Sequence, residues 1–181
     1  MYSLTNKKAE TKGFTLIEIL IVIGIIAVLA AIVIVAINPA KQFAQARNTQ
    51  RESNVTTILN AIGQRIADNK GVFEGDFTVG GTTYDCPELD DAYGEEGISS
   101  DGDNTSDGDD DNADIDLQCL YPTYIPTQIP VDPSTGDWTD EDDYDTGYTV
   151  ELDDTGRVTV CAPAAANEDA VPDAAEICRT R

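Results

Sequence analysis

Residues 14–37 read FTLIEILIVIGIIAVLAAIVIVAI, an apolar run of 24 positions broken by a single charge, Glu18. A helix of that length spans about 36 Å, against a hydrocarbon core of about 30 Å, so the pattern predicts a membrane-spanning helix. Lys7, Lys8 and Lys12 precede it against one acid, Glu10, which favours a cytoplasmic N-terminus. An ordinary secretory signal is a poorer reading. Its apolar region usually runs about 7–15 residues, and Ala36-Ile37-Asn38 fits a small-residue cleavage site badly.

Beyond the run the helical pattern resumes with a different period. Residues 41–54 are polar but rich in helix formers. Val55, Ile58, Leu59, Ile62 and Ile66 then recur at i, i+3, i+4, i+7 and i+11, one apolar stripe suited to packing on a sheet. Asn38-Pro39 interrupts the two stretches: Pro39 has no N–H and disfavours helix at Asn38, so a kink or melted turn is expected there. Gly71 is a plausible C-cap. One bent helix from about 15 to about 70 would measure roughly 80 Å.

After Gly71 the period becomes two. Phe77-Thr78-Val79 and Thr82-Thr83-Tyr84 flank Gly80-Gly81 as a hairpin, and Leu117–Tyr121 is a short apolar piece. Tyr148–Leu152, the turn Asp153–Gly156 and Arg157–Cys161 form a second, clearer hairpin. The economical arrangement is α+β: a long bent N-terminal helix, its apolar first half transmembrane, its second half packed on a small antiparallel sheet.

Charge sharpens the picture. The 181 residues carry 11 Lys/Arg against 34 Asp/Glu, a net charge of −23, and no histidine. A polyanionic partner such as nucleic acid is repelled, and imidazole chemistry is excluded. Between Gly71 and Gly156 there are 26 acids and no Lys or Arg. No nucleophile–base motif, phosphate loop or cofactor motif accompanies them, so an enzyme is not expected.

Glu18 is the anomaly in the apolar run. A carboxylate inside a membrane helix costs about 2.5 kcal/mol or more and normally has a partner or a function. A free amine at position 14 would lie four residues away on the same helix face, and would exist only if the chain were cut between Gly13 and Phe14. The alternative is a glutamate near the interface, protonated or snorkelling.

Lys12-Gly13-Phe14-Thr15-Leu16-Ile17-Glu18 before a long apolar helix resembles the N-terminal signal of type IV pilins and type II secretion pseudopilins. The resemblance implies that a prepilin peptidase cuts after Gly13 and N-methylates Phe14. It implies a leader of residues 1–13, a transmembrane or filament-core helix over 14–37, its continuation over 38–71, and an extracytoplasmic acidic β-domain over 72–181. Glu18 would answer the Phe14 amine of a neighbouring copy and set the axial register of a homo-oligomeric filament. An unpaired buried charge costs far more than a paired one. The implied partners are the bilayer before assembly, the peptidase, a membrane platform and minor pilins or pseudopilins. The implied location is the inner membrane, single-pass, then an extracytoplasmic or surface filament. The alternative is a membrane-anchored extracellular calcium-binding or adhesion module that does not assemble.

The acidic insert over 85–119 raises a calcium expectation. Asp103, Thr105, Asp107, Gly108 and Asp114 occupy positions 1, 3, 5, 6 and 12 of a loop like that of an EF-hand, and Asp101, Asp109 and Asp111 could contribute oxygens. Thr105 at the third position and the short Asp114 at the twelfth depart from the pattern. A second cluster, Asp137, Asp140, Asp142 and Asp143, lies where the resemblance implies a calcium-braced C-terminal loop. The competing reading of both is a solvated acidic loop.

Four cysteines permit three pairings. Cys86–Cys119 and Cys161–Cys178 are preferred, because two sequential local loops need no crossing. A four-thiolate zinc site lacks any C-x-x-C pair.

Overall fold

The computed structural model describes residues 13–89, 95–100 and 114–181. The chain forms two compact units, residues 1–42 and 43–181. The architecture is α+β, with a long apolar N-terminal helix, a second helix and antiparallel sheets.

In the first unit, helix α1 runs from Leu16 to Ile37. It ends where Asn38 turns left-handed, at φ 47°. Pro39 explains this end: it clashes with a helical conformation in the residue before it, and asparagine tolerates the left-handed well. Helix α2, Pro39–Asp68, begins on that proline, where the missing N–H costs nothing. The single bent helix expected from the sequence is thus two helices with one non-helical residue between them.

The second unit has one core. Val55, Ile58, Leu59 and Ile62 of α2 are buried in it, with Ile66 at its margin. The helix ends against its own sequel: Arg65 donates from Nε to the Phe73 carbonyl at 3.0 Å and from Nη2 to the Gly75 carbonyl at 2.6 Å. Its guanidinium also lies 4.5 Å from the centroid of the Phe77 ring.

Strands β1, Gly75–Val79, and β2, Thr82–Cys86, form the expected hairpin. Gly80 and Gly81, at φ 62° and 94°, make the turn, and two positive φ values in succession are open to glycine at little cost. The main sheet contains β3 (Glu96–Ser99), β4 (Asp137–Asp140), β5 (Asp143–Leu152), β6 (Val158–Ala162) and β7 (Ile177–Thr180). Its order is β3-β5-β6-β7, with β4 also pairing with β5, and all pairings are antiparallel. Strands β3, β4 and β7 are not expected from alternation alone. The piece around Leu117–Tyr121 is a 3-10 turn, Gln118–Leu120, that buries Cys119 and Leu120.

Disulfides join Cys86 to Cys119 and Cys161 to Cys178, with Cα–Cα distances of 5.2 and 4.1 Å. All four sulfurs are so used, and thiolate zinc ligation is set aside.

Candidate functional site: the head of the apolar helix and the ion cluster behind it

Helix α1 begins with a reciprocal cap. The Glu18 amide donates to Thr15 Oγ1 at 3.3 Å. In return, the Thr15 amide and the Thr15 hydroxyl both donate to Glu18 Oε2 at 2.7 Å. This is a capping box, which satisfies orphan amide donors at a helix start. The carboxylate that looked anomalous in the sequence therefore has partners in its own chain, three positions back. The Thr-x-x-Glu spacing of Thr15 and Glu18 could have revealed the box, and the sequence reading passed over it. Gly13 and Phe14 lie immediately ahead, in non-helical backbone.

The helix that follows is bare. Leu16–Ile34 is long and apolar enough to cross a membrane, and none of that window is buried within the molecule. Its isoleucines, leucines and valines need an apolar surrounding that the monomer does not provide.

The second unit holds a charged cluster that no local pattern along the chain signals. Arg51, on α2, is fully buried. Its Nε and Nη2 donate to Asp132 Oδ2 and Oδ1 at 2.6 and 3.1 Å, a bidentate pair. Its Nη1 reaches Asn48 Oδ1 at 2.7 Å and Glu168 Oε1 at 2.5 Å, and Nη2 reaches Ser134 Oγ at 2.7 Å. Arg47 joins through Nε to Glu168 Oε1 at 2.7 Å and through Nη2 to Glu168 Oε2. Burial on its own would raise the Asp132 carboxyl. Arg51, together with Ser134, instead holds it at about 2. The Arg47 and Arg51 guanidiniums likewise hold Glu168 at about 2, against the opposing effect of burial.

The loop that presents Asp132 is shaped for this role. Asp132 Oδ1 accepts from the amides of Ser134 and Thr135 at 2.8 and 3.1 Å, an Asx-type turn. Gly136 closes it. A Cβ there would meet both the Asp132 nitrogen and the Thr146 oxygen at 2.6 Å. Beside it, Asn54 Nδ2 donates to the Tyr148 hydroxyl at 2.9 Å and the Val131 carbonyl at 3.1 Å. Burial pushes the Tyr148 phenol up to about 12.

The expected calcium ligands Asp101, Asp103, Thr105, Asp107, Asp109 and Asp111 lie outside the described residues. Asp114 is described, and its Oδ2 accepts from Ser99 Oγ at 3.0 Å, beside β3. Asp137, Asp140, Asp142 and Asp143 fall on the β4–β5 hairpin. There Asp137 and Asp140 accept from the amides of Trp138 and Asp142 at 2.9 and 3.0 Å. Among the described residues, a set of three ligand atoms within 4.8 Å occurs instead at Cys161, Glu176 and Cys178, whose sulfurs are already bonded to each other.

A family model described as the prokaryotic N-terminal methylation motif matches residues 9–34. No curated protein and no solved structure matches the chain. The matched stretch contains Gly13, Phe14, the Thr15–Glu18 box and most of α1. The chain thus carries the N-terminal methylation signature that is the hallmark of type IV pilins and pseudopilins.

Proposed function

We propose that the protein is a structural subunit of a type IV pilus or a type II secretion pseudopilus. Prepilin peptidase cuts it between Gly13 and Phe14, methylates Phe14 and leaves the apolar helix in the inner membrane. A membrane platform then draws copies into a helical filament, with minor subunits as further partners. The observation that carries this reading is the pairing of that signal with an apolar stretch, Leu16–Ile34, none of which is buried within the molecule. Lipid covers such a helix first, and neighbouring copies of the same helix cover it afterwards. Glu18 then exchanges its local partner, Thr15, for the Phe14 amine of a neighbour, and the ammonium–carboxylate pair sets the axial register.

The test is N-terminal mass spectrometry of the mature protein from its native membrane, with electron microscopy of sheared surface material. An N-methylated Phe14 terminus supports the subunit reading. A Gly13–Phe14 bond left intact favours a membrane-anchored module that does not assemble.

Calcium is part of the same proposal, and it rests on the spacing of Asp103, Thr105, Asp107 and Asp114. Repulsion among so many carboxylates opposes an ordered loop, and a divalent cation relieves it. Chelation should lower the melting temperature of the acidic domain, and an unchanged transition removes the metal.

A further inference from the structure

The Cys161–Cys178 bridge stands in an unusual charge environment. Thr149, Cys161 and Cys178 are successive register partners across β5, β6 and β7, so their side chains share one face of the sheet. Glu176 precedes Cys178 by two positions, on the same side of the chain. A carboxylate oxygen of Glu176 and the two sulfurs lie within 4.8 Å of one another. From the other direction Thr149 donates its hydroxyl to Glu95, and Glu95 in turn reaches Glu176. Burial, then the nearby Glu95, push the Glu176 carboxyl upward. Glu151 pairs with Thr159 in the next row of the same face. The neighbouring cation, Arg179, alternates to the opposite face and is bound to Glu52 of α2. Cys161 is buried at 8% exposure, and Cys178, on the edge strand, is the more exposed residue of the two.

The geometry points to Glu176 and Glu95 as a charge guard that selects which thiols can reduce the Cys161–Cys178 bridge, admitting cationic and neutral thiols and repelling anionic ones. Reduction begins when an external thiolate attacks the Cys178 sulfur in line with the bridge. A mixed disulfide forms at Cys178, and Cys161 leaves as a thiolate. A second external thiolate attacks the mixed disulfide and releases Cys178. The external thiol is oxidised to its disulfide, the protein bridge is reduced, and water protonates the two cysteines. Each attack brings a negative sulfur up to the carboxylates. A reductant that carries a further negative charge meets added repulsion, about fourfold in rate per carboxylate for charges roughly 5 Å apart in water.

The test uses the full chain in a neutral detergent, with cysteamine, 2-mercaptoethanol and mercaptoacetate as cationic, neutral and anionic thiols of similar size. Opening of each bridge is followed by alkylation and peptide mass spectrometry, with rates normalised to thiolate concentration. Cys86–Cys119, buried at both sulfurs, is the internal reference. Cysteamine should be fastest and mercaptoacetate slowest, with steps of at least about fourfold at low salt, the factor for one carboxylate. The order should collapse in about 0.5 M salt and in the Glu95→Gln/Glu176→Gln variant, and persist in Glu176→Asp. Glu141→Gln/Asp142→Asn, on the β4–β5 turn, removes the same charge away from both bridges and should leave the order intact. The guard is overturned if the glutamine pair keeps the wild-type order, or if the distant pair abolishes it equally. None of these readouts depends on cleavage at Gly13 or on assembly.

Discussion

Arg51 and Asp132, 81 positions apart, face each other through two hydrogen bonds of 2.6 and 3.1 Å, and neither side chain is exposed. Removing one member leaves the other a buried charge without its bidentate counter-ion: Arg51 keeps Glu168, Asn48 and Ser134, while Asp132 keeps only the neutral donors of Ser134 and Thr135. Arg51→Met or Asp132→Asn should therefore destabilise the acidic domain by about 3–5 kcal/mol. Urea denaturation of the detergent-solubilised full chain measures this, and a loss below about 1 kcal/mol would contradict the buried pair.

The same cluster fixes the acid response. Asp132 and Glu168 have ordinary values of 3.8 and 4.5 and are both held at about 2. Groups depressed on folding contribute stability above their unfolded values, and lose it as pH falls toward the folded ones. The melting temperature should be flat above about pH 5 and fall steeply between about pH 4.5 and 2. In Arg51→Met that step should shrink.

The disulfides should contribute unequally. The chain-entropy relation gives nearly 4 kcal/mol for the Cys86–Cys119 loop and about 3 kcal/mol for the shorter Cys161–Cys178 loop. Double alanine variants of each pair, compared by denaturation, test both the order and the size.

Gly136 offers a backbone test. Alanine there forces its Cβ to within 2.6 Å of the Asp132 nitrogen and the Thr146 oxygen. Gly136→Ala should cost about 1–3 kcal/mol, whereas Gly24→Ala meets nothing within 4 Å and should leave the domain unchanged.

Local periodicity made some elements readable and left others hidden. Val55, Ile58, Leu59 and Ile62 announced their burial because a 3.6-residue stripe is a local signal. Gly80-Gly81 announced its turn for the same reason. Arg51 sits in a polar stretch that reads as solvated helix, and its partners lie 81 and 117 positions onward, where no window reaches. Strands β3 and β7 have four residues each, too few for alternation to register. Strand β7 is defined by its register against β6, Cys161 opposite Cys178, which is a tertiary fact. At the helix head the signal was local after all: Thr15 and Glu18 stand three positions apart, the spacing of a capping box.

For Glu18 itself, the subunit reading makes a separate prediction. Glu18→Ala should still be cut after Gly13, yet yield few or no filaments of normal pitch. Sheared-fraction immunoblots and electron microscopy decide the matter, and normal fibres from the alanine variant would sink the register role.

The ion cluster also has a mechanical meaning. Arg51 ties α2 to residue 132 on one loop and residue 168 on another, and Arg47 adds a second hold on the latter. Sliding of α2 along its own axis must shear these contacts together, because they share donors and acceptors. A tug on that helix is thus spread at once over two remote stretches of chain, and the helix slips only if all its clamps let go.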